Sequence, residues 1–322
     1  MDYLQLENPF IVEVFAVFMR KYMEYDNIVV SISGGADSDI LLDTCTKIDK
    51  DHKIKYVFFN TGLEYEATKE HIKYLEDKYG VNIDEETPTV PIPLANRKYG
   101  QPFLSKQISE NIDRLQRHNF QWEDEPFDEL LKRYPKCKAA LRWWCNEWGD
   151  GSRFNINCRK GLKEFMIQNP PMFRISAKCC EYTKKKTAKA YCKSVECELN
   201  ITGVRKSEGG ARSTTYKSCF SLGKKHPWDD YRPIFWFTND TKTEYKELFG
   251  VTHSRCYTEY GLKRTGCAGC PFGQDFEGEL EVIKNYEPKL FNAVNKVFGN
   301  SYEYTRNYIK FRDGMSVKGG DD

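Results

Sequence analysis

The stretch Ile28-Val29-Val30-Ser31-Ile32-Ser33-Gly34-Gly35-Ala36-Asp37-Ser38 constrains this chain more than any other. Its first five residues read as a buried strand. The Ser/Gly run then turns the chain into a helix that carries Leu41, Leu42, Cys45 and Ile48 on one face. A glycine-rich turn between a buried strand and a helix is an anion site, because its amide N–H groups converge and the helix N-terminus adds positive potential. Gly34 and Gly35 permit positive φ and close approach of a phosphate. Ser33 and Ser38 add hydroxyl donors. Asp37 would repel phosphate unless it holds a cation that bridges the phosphates, which assigns Mg2+ to it. No Gly-x-x-x-x-Gly-Lys-Ser/Thr occurs, so the loop is not a Walker A loop.

The flanking pattern extends the reading. Asn8-Pro9 caps a first helix with Phe10, Val14, Phe18 and Tyr22 at helical spacing. A second strand, Ile54 to Phe59, ends in Asn60-Thr61-Gly62, and a helix follows from about Glu66 to Tyr79. The expected fold class is α/β, an open, mostly parallel sheet with helices on both faces. Thr87 to Pro93 reads as an extended, proline-stiffened connection. Residues 100–170 read as a helical insertion, with helices at about 103–117, 127–134 and 159–168, an acidic patch at 123–129 and the Trp143-Trp144-Cys145 cluster. Sheet-like segments return at Asn200–Val204 and Pro233–Phe237, and a helical tail covers about 279–312. This predicts a nucleotide-binding domain over 1–250 and a C-terminal segment over 251–322 carrying the Cys-x-x-Cys and the tail.

Composition narrows the setting. The net charge is +2, from 49 Lys and Arg against 47 Asp and Glu, so no global field selects a partner. Twelve cysteines need an explanation. The chain opens without a basic n-region and cleavage site, and no apolar run approaches the roughly 20 residues of a membrane span. The expectation is a cytoplasmic, non-membrane protein with reduced thiols. Cys179-Cys180 are adjacent and bond to each other poorly. Cys267-Ala268-Gly269-Cys270 is a Cys-x-x-Cys. Four thiolates suit a tetrahedral metal or an iron–sulfur cluster, whereas structural zinc more often uses two Cys-x-x-Cys knuckles. Lys178, Lys184, Lys185, Lys186, Lys189 and Lys193 oppose only Glu181 over residues 178–193. They make either a solvated face or a wall for phosphates or a nucleic-acid backbone.

Ser33 to Ser38 resembles the Ser-Gly-Gly-x-Asp-Ser PP-loop of ATP pyrophosphatases, which cleave ATP between the α- and β-phosphates. Asn60-Thr61-Gly62 resembles the Asp-Thr-Gly motif of the phosphoadenylyl-sulfate reductase superfamily, with Asn60 in place of Asp. The vicinal Cys179-Cys180, followed by Cys267 and Cys270, resembles that superfamily's iron–sulfur pattern. The segment Gly203 to Arg212 resembles its arginine motif, with Arg205 and Arg212 seven residues apart. The resemblance runs from about Val29 to Gly273, least well over 120–170.

It implies an adenine nucleotide alpha hydrolase-like fold, with ATP held by Ser33, Gly34, Gly35, Asp37, Ser38, Thr61, Gly62, Gly203 and Arg205. Asp37, Ser38, Arg205 and Arg212 take the catalytic roles, and Cys179, Cys180, Cys267 and Cys270 hold a 4Fe–4S cluster. Two departures shape the functional expectation. The last cysteine is Cys270, whereas family reductases carry a redox cysteine near the C-terminus. The chain also keeps the full PP-loop from which reductases usually depart. The first reading is therefore an adenylating, ATP-dependent sulfurtransferase, fed by a sulfur donor such as a cysteine desulfurase and acting on nucleic acid, as in DNA phosphorothioation or tRNA thiolation. The alternatives are a phosphoadenylyl-sulfate or adenylyl-sulfate reductase using thioredoxin, with Cys256 as a substitute thiol, and a non-catalytic nucleotide-binding subunit.

Overall fold

The computed structural model describes residues 6–208, 215–224, 226–273 and 275–318, with 316–318 described by backbone alone. The chain forms two compact units, Met1–Thr89 with Lys184–Ala268, and Val90–Thr183 with Gly269–Asp322. These units cut across the 1–250 and 251–322 division expected from the sequence.

The first unit is built on a six-stranded sheet of order β3-β2-β1-β4-β6-β5. Its strands are β1 (Ile28–Ile32), β2 (Ile54–Phe59), β3 (Ile83–Glu86), β4 (Leu199–Thr202), β5 (Phe220–Ser221) and β6 (Asp229–Tyr231). All pairings are parallel except β5 with β6. The sheet is open and mostly parallel, the α/β class read from the sequence. β1 lies between β2 and β4, with Ser31 opposite both Val57 and Thr202. Chain order reverses at β1, and open α/β folds leave a crevice for ligands at such a switch point, at the carboxyl ends of the strands.

Helices α1 (Pro9–Glu24), α2 (Ala36–Ile48) and α3 (Glu66–Tyr79) flank these strands in sequence. Asn8 caps α1 by accepting the Phe10 N–H at 3.0 Å. α1 buries Ile11, Val14, Phe15, Phe18 and Tyr22, a stripe of period 3.6. α3 ends at Gly80 in the left-handed region (φ 62°), where glycine costs least. The sheet-like run expected at Pro233–Phe237 is a pair of turns instead. Phe235 N–H donates to Arg232 O and Phe237 N–H to Ile234 O, both at 3.1 Å. Ile234, Phe235 and Phe237 are buried in those turns, and burial is what makes an apolar run look like a strand.

The second unit is helical and aromatic. Its core gathers Phe103, Phe120, Trp143, Trp144, Phe165 and Tyr304 among others. Phe120 meets Trp144 edge-on at 5.4 Å, and the Trp144 indole donates to Glu123 O at 2.9 Å. The connection expected to be extended through Pro93 ends at Pro91. Residues Ile92–Tyr99 are helical, because a proline in the first turn has no hydrogen bond to lose. The single tail helix expected over about 279–312 is two, Phe276–Tyr286 and Pro288–Lys318. Glu287 precedes a proline and leaves the α region, with φ −135° and ψ 67°.

Candidate functional site: a phosphate loop with a charge clamp

The turn between β1 and α2 is held by its own hydroxyls. Ser38 Oγ accepts from Ser33 N–H at 3.2 Å and from Gly35 N–H at 3.1 Å, and donates to Gly35 O at 2.9 Å. The amides thus converge on one oxygen, the geometry an anion's oxygen would take over. Gly34 has φ +65°, and a Cβ there would lie 2.8 Å from Thr68 Cγ2, so only glycine fits. A Cβ on Gly203, just past β4, would lie 3.2 Å from Asp37 O. Gly203 thus lies against the loop.

The next layer is electrostatic. Asp37 Oδ1 lies 3.0 Å from Arg205 Nε and 2.9 Å from Lys242 Nζ. The Arg205 contact is ionic rather than an aligned hydrogen bond, since neither atom has a hydrogen-bond partner. Arg205 is buried, and its Nη1 reaches Ser207 Oγ (2.7 Å), Asn239 Oδ1 (3.2 Å) and Phe237 O (3.3 Å). A buried guanidinium needs these acceptors to offset its desolvation. Two cations on one carboxylate leave one positive charge beside the anion loop. Asp37, expected to hold Mg2+, thus has protein cations as its partners here. Lys242 escaped the sequence reading because a lysine in the amphipathic helix Asn239–Phe249 looks like any solvated residue.

Two further residues join the loop. Tyr257 OH accepts the Ala36 N–H at 3.2 Å and the Thr265 N–H at 3.2 Å, and burial raises its pKa. Asp39 is fully buried between His253 Nδ1 (2.8 Å) and His71 Nε2 (3.1 Å). Neither had a motif to reveal it.

At the end of β2, Gly62 N–H donates to Asn60 Oδ1 at 3.0 Å, an Asx turn that Asp could also make. Thr61 Oγ1 donates to the buried Glu64 at 2.6 Å and lies 3.5 Å from Cys267 Sγ. Ala268 N–H donates to Leu63 O at 2.8 Å. The strand-end motif therefore meets the start of the Cys-x-x-Cys. Arg212 lies outside the described residues.

Of the thiols, Cys267 belongs to the first unit and Cys179, Cys180 and Cys270 to the second. Cys179 is buried on the short helix Lys178–Cys180, and the other three are half-buried. Four thiolate donors have the chemistry of an iron–sulfur ligand set. Among the described residues no group of three or more Cys, His, Asp or Glu gathers as a metal site. The lysine run follows on a π turn, Glu181–Lys185, and the helix Lys186–Ser194, with Lys185, Lys189 and Lys193 exposed.

Comparison with known proteins finds likenesses over part of the chain. Residues 27–155 match the family described as the phosphoadenosine phosphosulfate reductase domain, so the resemblance carried by the phosphate loop holds over that segment. Among curated relatives, the chain is 28% identical over 118 residues to adenosine 5'-phosphosulfate reductase of Bacillus pumilus (strain SAFR-032). It is 29% identical over 129 residues to adenosine 5'-phosphosulfate reductase 1 of Bacillus subtilis (strain 168). Each match covers 36% of this chain and 47% of the relative, so the chain spans about half the length of the curated relatives it matches. Among solved structures, the phosphoadenylyl-sulfate reductase of Candida auris in a phosphate complex is similar with a TM-score of 0.45 at 12% identity, over 79% of this chain and 88% of that one. The U34-tRNA thiolase NcsA of Methanococcus maripaludis with its 4Fe–4S cluster is similar with a TM-score of 0.39 at 13% identity, over 94% and 79%. Likenesses this loose bear on neither substrate nor cofactor. Among the described residues no helix is long and apolar enough to cross a membrane.

Proposed function

We propose that the chain binds ATP at the Ser33–Ser38 loop and cleaves it between the α- and β-phosphates, as the adenylating half of a sulfur transfer. The observation that carries this reading is the clamp of Arg205 and Lys242 on Asp37, beside a loop whose amides already converge on an oxygen. The loop amides and Ser38 would hold the pyrophosphate part. Asp37 would keep Arg205 and Lys242 in place until phosphate arrives, and their charge would then stabilise the transition state. An acceptor oxygen attacks the α-phosphorus, and the bond to the bridging oxygen breaks to release pyrophosphate. Sulfide then attacks the activated acceptor atom and breaks its bond to the AMP-bearing oxygen, releasing AMP; a partner's persulfide would do the same but leave a disulfide-linked product that a second thiol must reduce to free the thiolated acceptor. Mg2+ would accompany the phosphates, and Arg212 would add a second guanidinium.

Cys179, Cys180, Cys267 and Cys270 are proposed as 4Fe–4S ligands on donor chemistry alone. When bound, such a cluster supplies a docking point for sulfur or a structural anchor. A cysteine desulfurase is the donor this reading needs, and DNA or tRNA the acceptor it favours.

The family match favours a second reading, reduction of a sulfonucleotide with thioredoxin. Cys256 suits that role poorly, because it is fully buried.

Two assays on anaerobically prepared protein separate the readings. ATP turnover is expected in wild type, with a drop of about 100-fold or more in Asp37→Ala. Sulfite released from phosphoadenylyl sulfate and reduced thioredoxin, with ATP untouched, would establish the second reading instead.

A further inference from the structure

The second unit carries a surface that nucleotide cleavage does not use. Trp148 and Phe154 are 41% and 44% exposed, with ring centroids 6.2 Å apart. Arg142 sets its guanidinium 4.0 Å from the Trp148 centroid, and Arg153 sets its own 5.0 Å from that of Phe154. The loop that presents them is braced from beneath. Buried Asn155 donates to Gly149 O at 2.8 Å and accepts the Trp148 N–H at 3.0 Å. Asn146 Oδ1 accepts the Asn157 N–H at 3.1 Å, and Arg142 donates to Glu147 O at 3.0 Å. A merely solvated loop has no need of a buried asparagine that pins the backbone at Trp148 and Gly149. The segment itself is basic: residues 136–163 hold seven lysines and arginines against two acids, and of the seven Lys163 is paired with Asp124.

We infer that this face binds single-stranded nucleic acid. Bases stack on Trp148 and Phe154, and backbone phosphates meet Arg142, Arg153, Arg159 and Lys160. Rings alternating with guanidiniums match a strand in which bases alternate with phosphates. A duplex hides its base faces in the stack, so it could use the cations but not the rings. An acidic peptide would likewise use only the cations. The inference rests on the sulfur-transfer reading and deepens it by assigning the surface that takes the acceptor and the single-stranded form in which it is taken. Its test reads binding alone, so the two can fail separately.

The test is fluorescence anisotropy of the full chain with a labelled strand of about 15 nucleotides, comparable to one binding footprint. The strand is supplied as DNA, as RNA of the same sequence, and as the duplex. At least one single strand should bind saturably and more tightly than the duplex, with affinity falling steeply as salt rises. Trp148→Ala and Phe154→Ala should each weaken single-strand binding by roughly 5- to 100-fold. Trp148→Phe should retain most of it, and Arg153→Gln should flatten the salt dependence by about one unit of slope. ATP binding by the same variants should be unchanged, which separates lost stacking from lost fold. The proposal is overturned if neither strand binds saturably, or if folded Trp148→Ala and Phe154→Ala proteins bind as wild type does. Equal affinity for duplex and single strand would also overturn it. ATP cleavage that fails while strand binding holds would sink the enzymatic reading and leave this one standing.

Discussion

The interiors of the two units hold different kinds of matter. Among the described residues, the first unit buries Asp39, Asp43, Asp49, Glu64, His71, Arg205 and Arg232, whereas the second buries one charged side chain, Asp113. Each of the first unit's acids has a named partner. Asp43 takes Tyr245 OH at 2.8 Å and Tyr79 OH at 3.1 Å, and Asp49 takes Tyr22 OH at 2.9 Å. Asp113 has three cations, Arg117 at 3.0 Å, Lys178 at 3.5 Å and Arg174 at 3.7 Å. Both units bury rings, Phe15, Tyr65 and Tyr245 in the first as well as Phe103, Trp143 and Trp144 in the second, so the difference lies in buried charge. The difference teaches where each kind of work sits. Buried, partnered charge fixes atoms well enough for chemistry, while a unit that buries little charge keeps it at the surface, where recognition happens.

The sharpest way to break this contrast is to remove volume from the second unit. Trp144→Ala should cost about 3–5 kcal/mol, read as a shift in urea midpoint, because the cavity left among Phe120, Trp122 and Trp143 cannot collapse fully. A loss below about 1 kcal/mol would mean that the rings are loosely packed. Removing charge from the first unit should act on function more than on stability. Lys242→Met should weaken ATP binding about tenfold, the scale of one charge-assisted contact of about 1.5–3 kcal/mol. Its exposed edge predicts little change in melting temperature. Unchanged ATP affinity would remove Lys242 from the site.

The smallest effect concerns a thiol. Burial pushes the Cys145 pKa up to about 11, so the group stays protonated through neutral pH. Only the thiolate alkylates, so its reaction with iodoacetamide should be slow at pH 7 and quicken as pH rises toward 11. Rapid labelling at pH 7 would show that this thiol is not the inert packing group the second unit's core implies.

Much of the first unit was legible because its signals are local. β1 and β2 are short apolar runs that end in turn residues, and α3 spans Glu66–Tyr79 as its spacing predicts. β3 was not legible, because Ile83-Asp84-Glu85-Glu86 at a sheet edge shows neither an apolar run nor alternation. The site divides in the same way. Ser33 to Ser38 announce themselves by order and spacing. Lys242, Tyr257 and Asp39 matter only through partners brought in by the sheet, a relation that no window of sequence contains. In the second unit, Trp143-Trp144 was visible as a cluster, but periodicity cannot say which aromatic residues face inward. Trp148 is exposed four residues after Trp144, which is fully buried.

The claim on which most rests is that the phosphate loop directs cleavage to the α,β-bond. The direct measurement is to identify the products made by the anaerobic full chain from ATP labelled at the α-phosphate. The account predicts labelled AMP with one equivalent of pyrophosphate, both lost in Asp37→Ala. Labelled ADP with orthophosphate would contradict it.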